Sequence, residues 1–252
     1  MPKALTVLGA GEVGRVVLRA AEAAGLERRA IRRGEPIGSA LPTGPLVVAV
    51  RETDLAALIP ELAPIADRTV FLQNGWIEPI LAPLGPRVTV GLIWFTAKGP
   101  LFRVLAPSIF HGPLAGELVS LLRSGGIEAR EEPDLAVFRR EVAYKLSWNC
   151  VVGLPLAVSG LTLDAYLAAH EDEARAIAGE VAAVLTRELG VPVEGAEAHA
   201  RLLATIGGLG GATGGTKALE LRNGAIARLG RVHGVPTPVN DRLLARTGTP
   251  AG

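Results

Sequence analysis

The 252-residue sequence is poor in the residues that form cross-links and metal sites. It has one cysteine, Cys150, so no intramolecular disulfide can form, and its four histidines show no metal-ligand spacing. The N-terminus lacks the basic start, apolar segment and cleavage site of a signal peptide. We therefore expect a cytoplasmic protein without a bound metal.

The sequence also lacks an excess of either charge and any long apolar run. Lys+Arg total 26 and Asp+Glu total 25, so the net charge of +1 gives no extended field to attract nucleic acid or an anionic membrane. No apolar run approaches the roughly 18 residues that a membrane-spanning helix needs. We expect neither nucleic acid nor a membrane among the partners.

Lysine is the scarce cation, with four lysines among the 26 basic residues. One of them, Lys145, lies in an apolar segment. Hydrophobic residues make up 49% of the chain and the mean hydropathy is +0.34, which excludes an intrinsically disordered protein.

The two halves of the chain differ in periodicity. The first alternates short apolar runs with helical stretches, which is typical of βαβ units and a mostly parallel sheet. After about Pro133 helical periodicity dominates. We predict an α/β plus all-α fold: a Rossmann-type domain over residues 1–135, followed by an all-helical domain over residues 136–252. The predicted strands are Ala4–Leu8, Arg29–Arg32, Leu46–Val50, Thr69–Leu72 and Val88–Ile93, and the predicted helices are Gly14–Ala24, Asp54–Ala63, Gly112–Ser124, Val137–Val152, Glu171–Leu189, Ala196–Leu203, Lys217–His233 and Val239–Ala245.

The connection between the second and third predicted strands is short. Only residues 34–45 separate Arg33 from Leu46, too few for a helix and a further strand. The predicted Rossmann sheet is therefore trimmed.

A glycine-rich turn follows the first predicted strand. It reads Gly9-Ala10-Gly11-Glu12-Val13-Gly14 and opens the first predicted helix, which is the context of a dinucleotide-binding fingerprint. The glycines allow a tight turn, close approach of a pyrophosphate and packing of the helix on the strand, while the helix N-terminus attracts phosphate. The alternative is a turn that merely requires small residues.

The end of the second predicted strand distinguishes two nicotinamide cofactors. An NAD site would have Asp or Glu there to bind the ribose hydroxyls. This chain has Arg32 and Arg33, whose guanidiniums could bind a 2′-phosphate, so we predict NADPH/NADP+. The alternative is that both arginines simply solvate the strand end.

The predicted helix around Lys145 is almost wholly apolar. Asn149 follows one turn later, so the ammonium and the amide lie on one face. Beside a nicotinamide, a lysine can polarise a carbonyl and donate the proton that completes a reduction. The alternative is a lysine that extends past Tyr144 and Trp148 to water.

Four passages resemble the ketopantoate reductase family (2-dehydropantoate 2-reductases), NADPH-dependent enzymes of pantothenate biosynthesis with a 6-phosphogluconate-dehydrogenase-like two-domain fold. The last passage is the most specific, since both its helix and its Gly-Val-Pro-Thr-Pro-Val-Asn exit look like the family's. The passages are Thr6–Gly14, Phe71–Gly75, Tyr144–Val152 and Glu220–Asn240.

The resemblance implies a role for individual residues. Lys145 resembles the catalytic lysine that protonates the 2-keto oxygen, and Glu220 the acidic residue that binds the substrate hydroxyl and orients the lysine. Asn149 resembles a substrate-binding asparagine, and Asn74 the asparagine that contacts both nicotinamide and substrate. Arg33 resembles the arginine that binds the 2′-phosphate.

Several positions depart from the family pattern. Arg51 stands where many members have lysine after the third strand, which keeps the charge. Gly153 stands where an asparagine is expected two turns after the lysine, and a further asparagine is absent near Thr162–Leu163. Gly208 stands where a serine usually contacts the substrate carboxylate. Its glycine-rich segment, residues 207–215, is either a backbone nest for that carboxylate or a mobile loop.

The resemblance therefore implies reduction of ketopantoate to pantoate by NADPH, with Lys145 as the general acid. A paralogous reductase of another 2-oxo acid and a non-catalytic NADP(H)-binding regulator are the alternatives. Retention of Lys145 and Glu220 argues against the regulator. Apolar faces in the helical half could support a homodimer.

Overall fold

The computed structural model describes residues 3–41, 43–98 and 101–248. The chain divides into two compact units, Met1–Phe138 and Arg139–Gly252. The strands of the described residues are β1 (Ala4–Leu8), β2 (Glu27–Ile31), β3 (Leu46–Val48), β4 (Thr69–Phe71), β5 (Thr89–Leu92), β6 (Phe95–Lys98), β7 (Leu101–Val104), β8 (Ser108–His111) and β9 (Ala129–Glu131). The helices are α1 (Glu12–Ala23), α2 (Leu55–Leu62), α3 (Glu78–Leu81), α4 (Ala115–Ser124), α5 (Leu135–Val152), α6 (Leu154–Ser159), α7 (Leu163–Leu189), α8 (Gly195–Thr205), α9 (Asn223–His233) and α10 (Pro238–Ala245).

The first unit is built on a seven-stranded sheet with the order β2-β1-β3-β4-β5-β8-β9. Strands β1 to β5 pair in parallel, β8 runs antiparallel to β5, and β9 runs parallel to β8. Every residue of β1, β3 and β4 is buried, as expected for strands of a covered parallel sheet. The predicted α/β plus all-α fold class is confirmed.

Helices α1 and α4 cover the sheet with their apolar faces. Val16, Val17, Ala20 and Ala21 recur at helical spacing on α1 and are all buried in one core cluster with Leu118, Leu121 and Leu122 of α4. That packing fixes where α1 begins relative to β1. The turn between them is therefore held from both sides.

The trimmed sheet predicted from the sequence is also observed. In the described part of the connection between β2 and β3, the regular structure is one 3-10 turn, Ile37–Ser39.

The second unit is helical, as predicted. Helices α7 and α8 pack together, and α9 and α10 pack on α7. Helix α7 begins at Leu163, eight residues before the predicted start, and its backbone breaks from helical geometry at His170 (φ −139°, ψ 33°). The predicted helix Glu171–Leu189 is thus the part of α7 after the kink.

One predicted helix begins too early, and several elements were not predicted. Residues 217–222 are not in the helix predicted over Lys217–His233, because α9 begins at Asn223 after a 3-10 turn at Leu219–Leu221. The pattern also missed the hairpin of β6 and β7 and the strands β8 and β9. In β8 the buried Ser108 accepts a hydrogen bond from the Trp94 N–H (3.0 Å), so a polar residue occupies a core position.

No helix among the described residues combines the length and the apolar character needed to cross a bilayer.

Candidate functional site

The loops that follow four parallel strands meet at one edge of the sheet. Leu8 pairs with both Ile31 and Val48, and Val48 pairs with Phe71, so β1 to β4 end almost level. Ligands of open α/β sheets bind at the carboxyl ends of the strands. The structure therefore brings the predicted cofactor residues of this unit to one edge: Gly9, Ala10, Gly11, Glu12, Val13 and Gly14 after β1, Arg33 after β2, Arg51 after β3 and Asn74 after β4.

Two of the three glycines in the turn after β1 are required by close backbone neighbours. Gly9 has φ +101°, and a Cβ there would lie 2.8 Å from the Ala49 carbonyl oxygen. A Cβ on Gly14 would overlap the carbonyl oxygen of Gly9. Gly11 is different, since a Cβ there would have no neighbour within 4 Å. The space beside Gly11 is open on the outside of the turn.

The turn presents the N-terminus of α1. Gly11 and Glu12 are exposed, while Ala10 and Val13 are half-buried. Within the described residues no side chain caps the first turn, so its N–H groups and the helix dipole can act on an anion. This is the arrangement that binds a pyrophosphate.

Arg33 and Arg51 converge on Asp54, a residue that was not among the predicted site residues. Arg51 binds Asp54 with two hydrogen bonds of 2.9 Å, and Arg33 Nη2 lies 3.5 Å from the same carboxylate. The Arg51 hydrogen bond lowers the pKa of Asp54. Two guanidiniums thus lie together at the ends of β2 and β3, with the Arg33 side chain 80% exposed. Such a pair can bind a phosphate.

Gln73 anchors the loop that carries Asn74. Its buried side-chain amide donates hydrogen bonds to the carbonyl oxygens of Val48 (3.0 Å) and Val50 (3.3 Å) at the end of β3. Gly75, with φ +94°, turns the chain directly after Asn74. The half-buried Asn74 is therefore held close to the end of the neighbouring strand.

Helix α5 of the second unit buries Lys145 and Asn149 on one face. Lys145 is 6% exposed and Asn149 is 5% exposed. The ammonium lies over the Trp148 ring, 4.7 Å from its centroid. Burial, followed by the nearby positive charge of Arg222, lowers the pKa of Lys145 to about 7. A lysine in this state can release a proton near neutral pH.

Asn149 has an unused donor at this place. Its Nδ2 is buried and has no hydrogen-bond partner among the described residues. Because native proteins rarely leave a buried donor unpaired, this amide is available to a ligand.

Arg222 is held against α5 by its neighbour Asn223. The fully buried Asn223 amide donates to the carbonyl oxygen of Cys150 on α5 (3.1 Å) and to Asn240 Oδ1 (2.9 Å). Arg222 lies immediately before α9, and its charge acts on Lys145 and on the buried thiol of Cys150. Arg222 lies within the passage Glu220–Asn240 but was not among the predicted site residues.

Two predicted substrate residues lie in exposed positions. Glu220 is exposed in the 3-10 turn before Arg222. The charged group that shifts the pKa of Lys145 is Arg222. Gly208 is exposed in a turn, with φ +77°. The roles of Glu220 and Gly208 stay predictions.

The glycine-rich segment after α8 is fastened to α7. Carbonyl oxygens of Gly210 and Ala212 accept hydrogen bonds from Asp164 N (3.1 Å) and Leu163 N (2.9 Å) in the first turn of α7. Gly215 N donates to the Gly153 carbonyl oxygen (3.3 Å). The segment therefore packs beside the end of α5.

Fold and site together define an architecture in which a Rossmann-type unit with a glycine-rich turn is followed by a helical unit with a buried lysine. Solved structures give the particular fold, which is that of ketopantoate reductases. The resemblance noted in the sequence is confirmed at the level of fold.

Three of these structures illustrate the likeness. The ketopantoate reductase of Ralstonia eutropha has a TM-score of 0.73 at 20% identity, over 96% of both chains. The dimeric ketopantoate reductase of Staphylococcus aureus has a TM-score of 0.74 at 17% identity, over 99% of this chain and 100% of that chain. D-Mandelate dehydrogenase with NADH and anilino(oxo)acetate has a TM-score of 0.77 at 14% identity, over 98% of both chains. Comparisons with protein-family models and with curated proteins gave no match.

Gly14 and Gly11 should respond differently to substitution by alanine. Gly14→Ala places a Cβ against the Gly9 carbonyl, so we expect the free energy of unfolding to fall by roughly 1–3 kcal/mol. Gly11→Ala meets no neighbour and should change it by less than about 0.5 kcal/mol. Urea unfolding followed by circular dichroism measures both. Equal losses in the two variants would show that the turn is not packed as described.

Proposed function

We propose that the protein reduces a 2-oxo acid to the corresponding 2-hydroxy acid with NADPH, and that ketopantoate is its substrate and pantoate its product. The observation that carries this proposal is the buried pair of Lys145 and Asn149, a proton donor with a pKa of about 7 beside an unpartnered amide. A binding protein without chemistry has no use for a buried lysine in that state.

The residues at the sheet edge fit a dinucleotide. The open space beside Gly11 and the uncapped first turn of α1 would take the pyrophosphate, and Arg33 and Arg51 would take a 2′-phosphate. Asn74 would contact the nicotinamide end. When bound, the cofactor supplies the hydride that adds to the 2-oxo carbon.

The chemical work of the chain is proton transfer and positioning. The Lys145 ammonium donates its proton to the oxo oxygen, which becomes the hydroxyl of the product. In doing so it stabilises the negative charge that develops on this oxygen in the transition state. Asn149 donates a hydrogen bond from Nδ2 and holds the substrate beside the lysine. Glu220, as the resemblance implies, is proposed to bind the hydroxyl group of the substrate and to orient Lys145. A homodimer also stays a prediction.

The direct test follows NADPH oxidation by absorbance with purified protein and ketopantoate. A panel of pyruvate, 2-oxoisovalerate and benzoylformate in the same assay identifies a different 2-oxo acid substrate if ketopantoate is turned over less well. Tight NADPH binding with no turnover of any 2-oxo acid would instead identify a non-catalytic NADP(H)-binding protein.

Replacement of the lysine should remove catalysis and leave cofactor binding intact. For Lys145→Met we expect kcat to fall by about 10²- to 10⁴-fold, because a general acid contributes that much. In the wild type, kcat/KM for reduction should decrease as pH rises through about 7, since only the ammonium form donates a proton. The control is Lys3→Met, which removes an exposed lysine. Unchanged kcat in Lys145→Met, or a flat pH profile in the wild type, would remove the lysine from the mechanism.

The arginine pair should determine which cofactor binds. Arg33→Ala should weaken NADPH binding by about 10-fold or more, the value of a hydrogen bond to a charged group, and leave NADH binding unchanged. Asp54→Asn should strengthen NADPH binding, since it removes the carboxylate that competes for both guanidiniums. Arg29→Ala, an exposed arginine within β2, is the matched control. Fluorescence titration of both cofactors measures these effects, and an equal loss of NADPH and NADH would contradict a 2′-phosphate site.

A further inference from the structure

We propose that Arg222 binds the carboxylate of the 2-oxo acid, so that its guanidinium, the Lys145 ammonium and the Asn149 amide form one substrate site. This inference rests on the proposed function and adds to it Arg222, a residue for which no role was predicted.

These three groups are aligned along α5. Lys145, Asn149 and Gly153 follow one another at intervals of four residues. Helix α5 ends at Val152, and Gly153 N donates the last helical hydrogen bond to the Asn149 carbonyl oxygen (3.1 Å), so Gly153 lies one turn beyond Asn149. A Cβ placed on Gly153 would lie 4.0 Å from Nη1 of Arg222. The guanidinium of Arg222 therefore lies at the end of the face that carries Lys145 and Asn149, one turn beyond Asn149.

Hydrogen bonds fix the backbone of Arg222 beside α5. Arg222 N donates to the Leu219 carbonyl oxygen (3.0 Å), and its own carbonyl oxygen accepts from Ile226 N (3.1 Å) in α9. The next residue, Asn223, is bonded to the Cys150 carbonyl oxygen of α5. The main chain of Arg222 is thus clamped against the helix that carries the lysine.

The hydrogen-bond donors of this site suit an anion. An ammonium, a guanidinium and an amide N–H group lie on one face, and the amide Nδ2 of Asn149 has no partner among the described residues. The two cations repel each other, which contributes to the low pKa of Lys145. An anion bound there interacts favourably with both cations, and a planar guanidinium matches a carboxylate with two parallel hydrogen bonds.

The geometry of a 2-oxo acid suits this division of roles. Its carboxylate and its oxo group are on adjacent carbons, so one end can bind Arg222 while the oxo oxygen faces Lys145. During the reaction the hydride adds to the oxo carbon and the proton moves from Lys145 to the oxo oxygen. The carboxylate is unchanged throughout, so Arg222 acts in binding and orientation.

The test compares the acid with a substrate that lacks its charge. The wild type should reduce ketopantoate with a kcat/KM at least about 10-fold above that of its methyl ester, because the ester cannot form the charged pair. Arg222→Met should lose that preference, raise KM for the acid by about 10-fold or more, and keep its Kd for NADPH. Arg222→Lys should recover part of the preference for the acid over the ester, since lysine retains the charge but cannot form the two parallel hydrogen bonds of a guanidinium. Arg228→Met, an exposed arginine on α9, is the matched control.

Two further readouts separate substrate binding from a structural role. Oxamate, a 2-oxo acid mimic, should bind the NADPH complex of Arg222→Met at least about 10-fold more weakly by titration calorimetry. The pH at which kcat/KM falls should move upward in Arg222→Met, because the cation that depresses the pKa of Lys145 is gone.

The outcomes distinguish the two proposals. A wild type that turns over no 2-oxo acid contradicts the proposed function. If the wild type is active and Arg222→Met keeps the preference for the acid over the ester, the role of Arg222 is contradicted and the proposed function is not. If Arg222→Met does not fold, the acid-to-ester ratio of Arg222→Lys decides, and an unchanged ratio overturns the inference.

Discussion

The second unit depends on a buried chain of hydrogen bonds that joins four of its helices. Asn223 bonds the Cys150 carbonyl oxygen of α5 and the side chain of Asn240, whose Nδ2 donates to Glu180 Oε2 on α7 (2.7 Å). Glu180 also accepts the backbone N–H groups of Val239 (2.7 Å) and Asn240 (3.0 Å), so it caps the first turn of α10. A buried polar network of this kind specifies one arrangement, since a displaced partner leaves a buried group unpaired. The same network positions Arg222 beside α5.

In the first unit the corresponding constraint is strand register. Because β1 to β4 pair in parallel, the residues that follow each strand must arrive at one edge, whatever their spacing in the sequence. The trimmed connection between β2 and β3 does not disturb this arrangement. Arg33 and Arg51, far apart in the chain, consequently reach the same carboxylate of Asp54.

The sequence predicts those parts that local pattern controls. Strand β1, the turn with its three glycines and the face shared by Lys145 and Asn149 follow from apolar periodicity and helix geometry alone. Strand β8 was missed because Ser108 is a polar residue in the core, and its partner, the Trp94 N–H, comes from a distant segment. Gln73, Arg222 and the contact of Asp54 with Arg33 were missed for the same reason: each depends on groups on another element, and a single sequence contains no signal for such contacts.

The apolar surroundings of Lys145 left two interpretations in the sequence: a lysine that extends to water, or one retained for chemistry. At 6% exposure its side chain does not extend to water, and burial together with Arg222 lowers its pKa to about 7. Removing an ammonium from water and adding a second cation nearby both oppose folding. The second unit thus holds two cations close together beside an unpartnered buried amide. The proposed ligand, a carboxylate next to a reducible oxo group, would interact favourably with both cations and place the oxo oxygen against the proton that Lys145 can release.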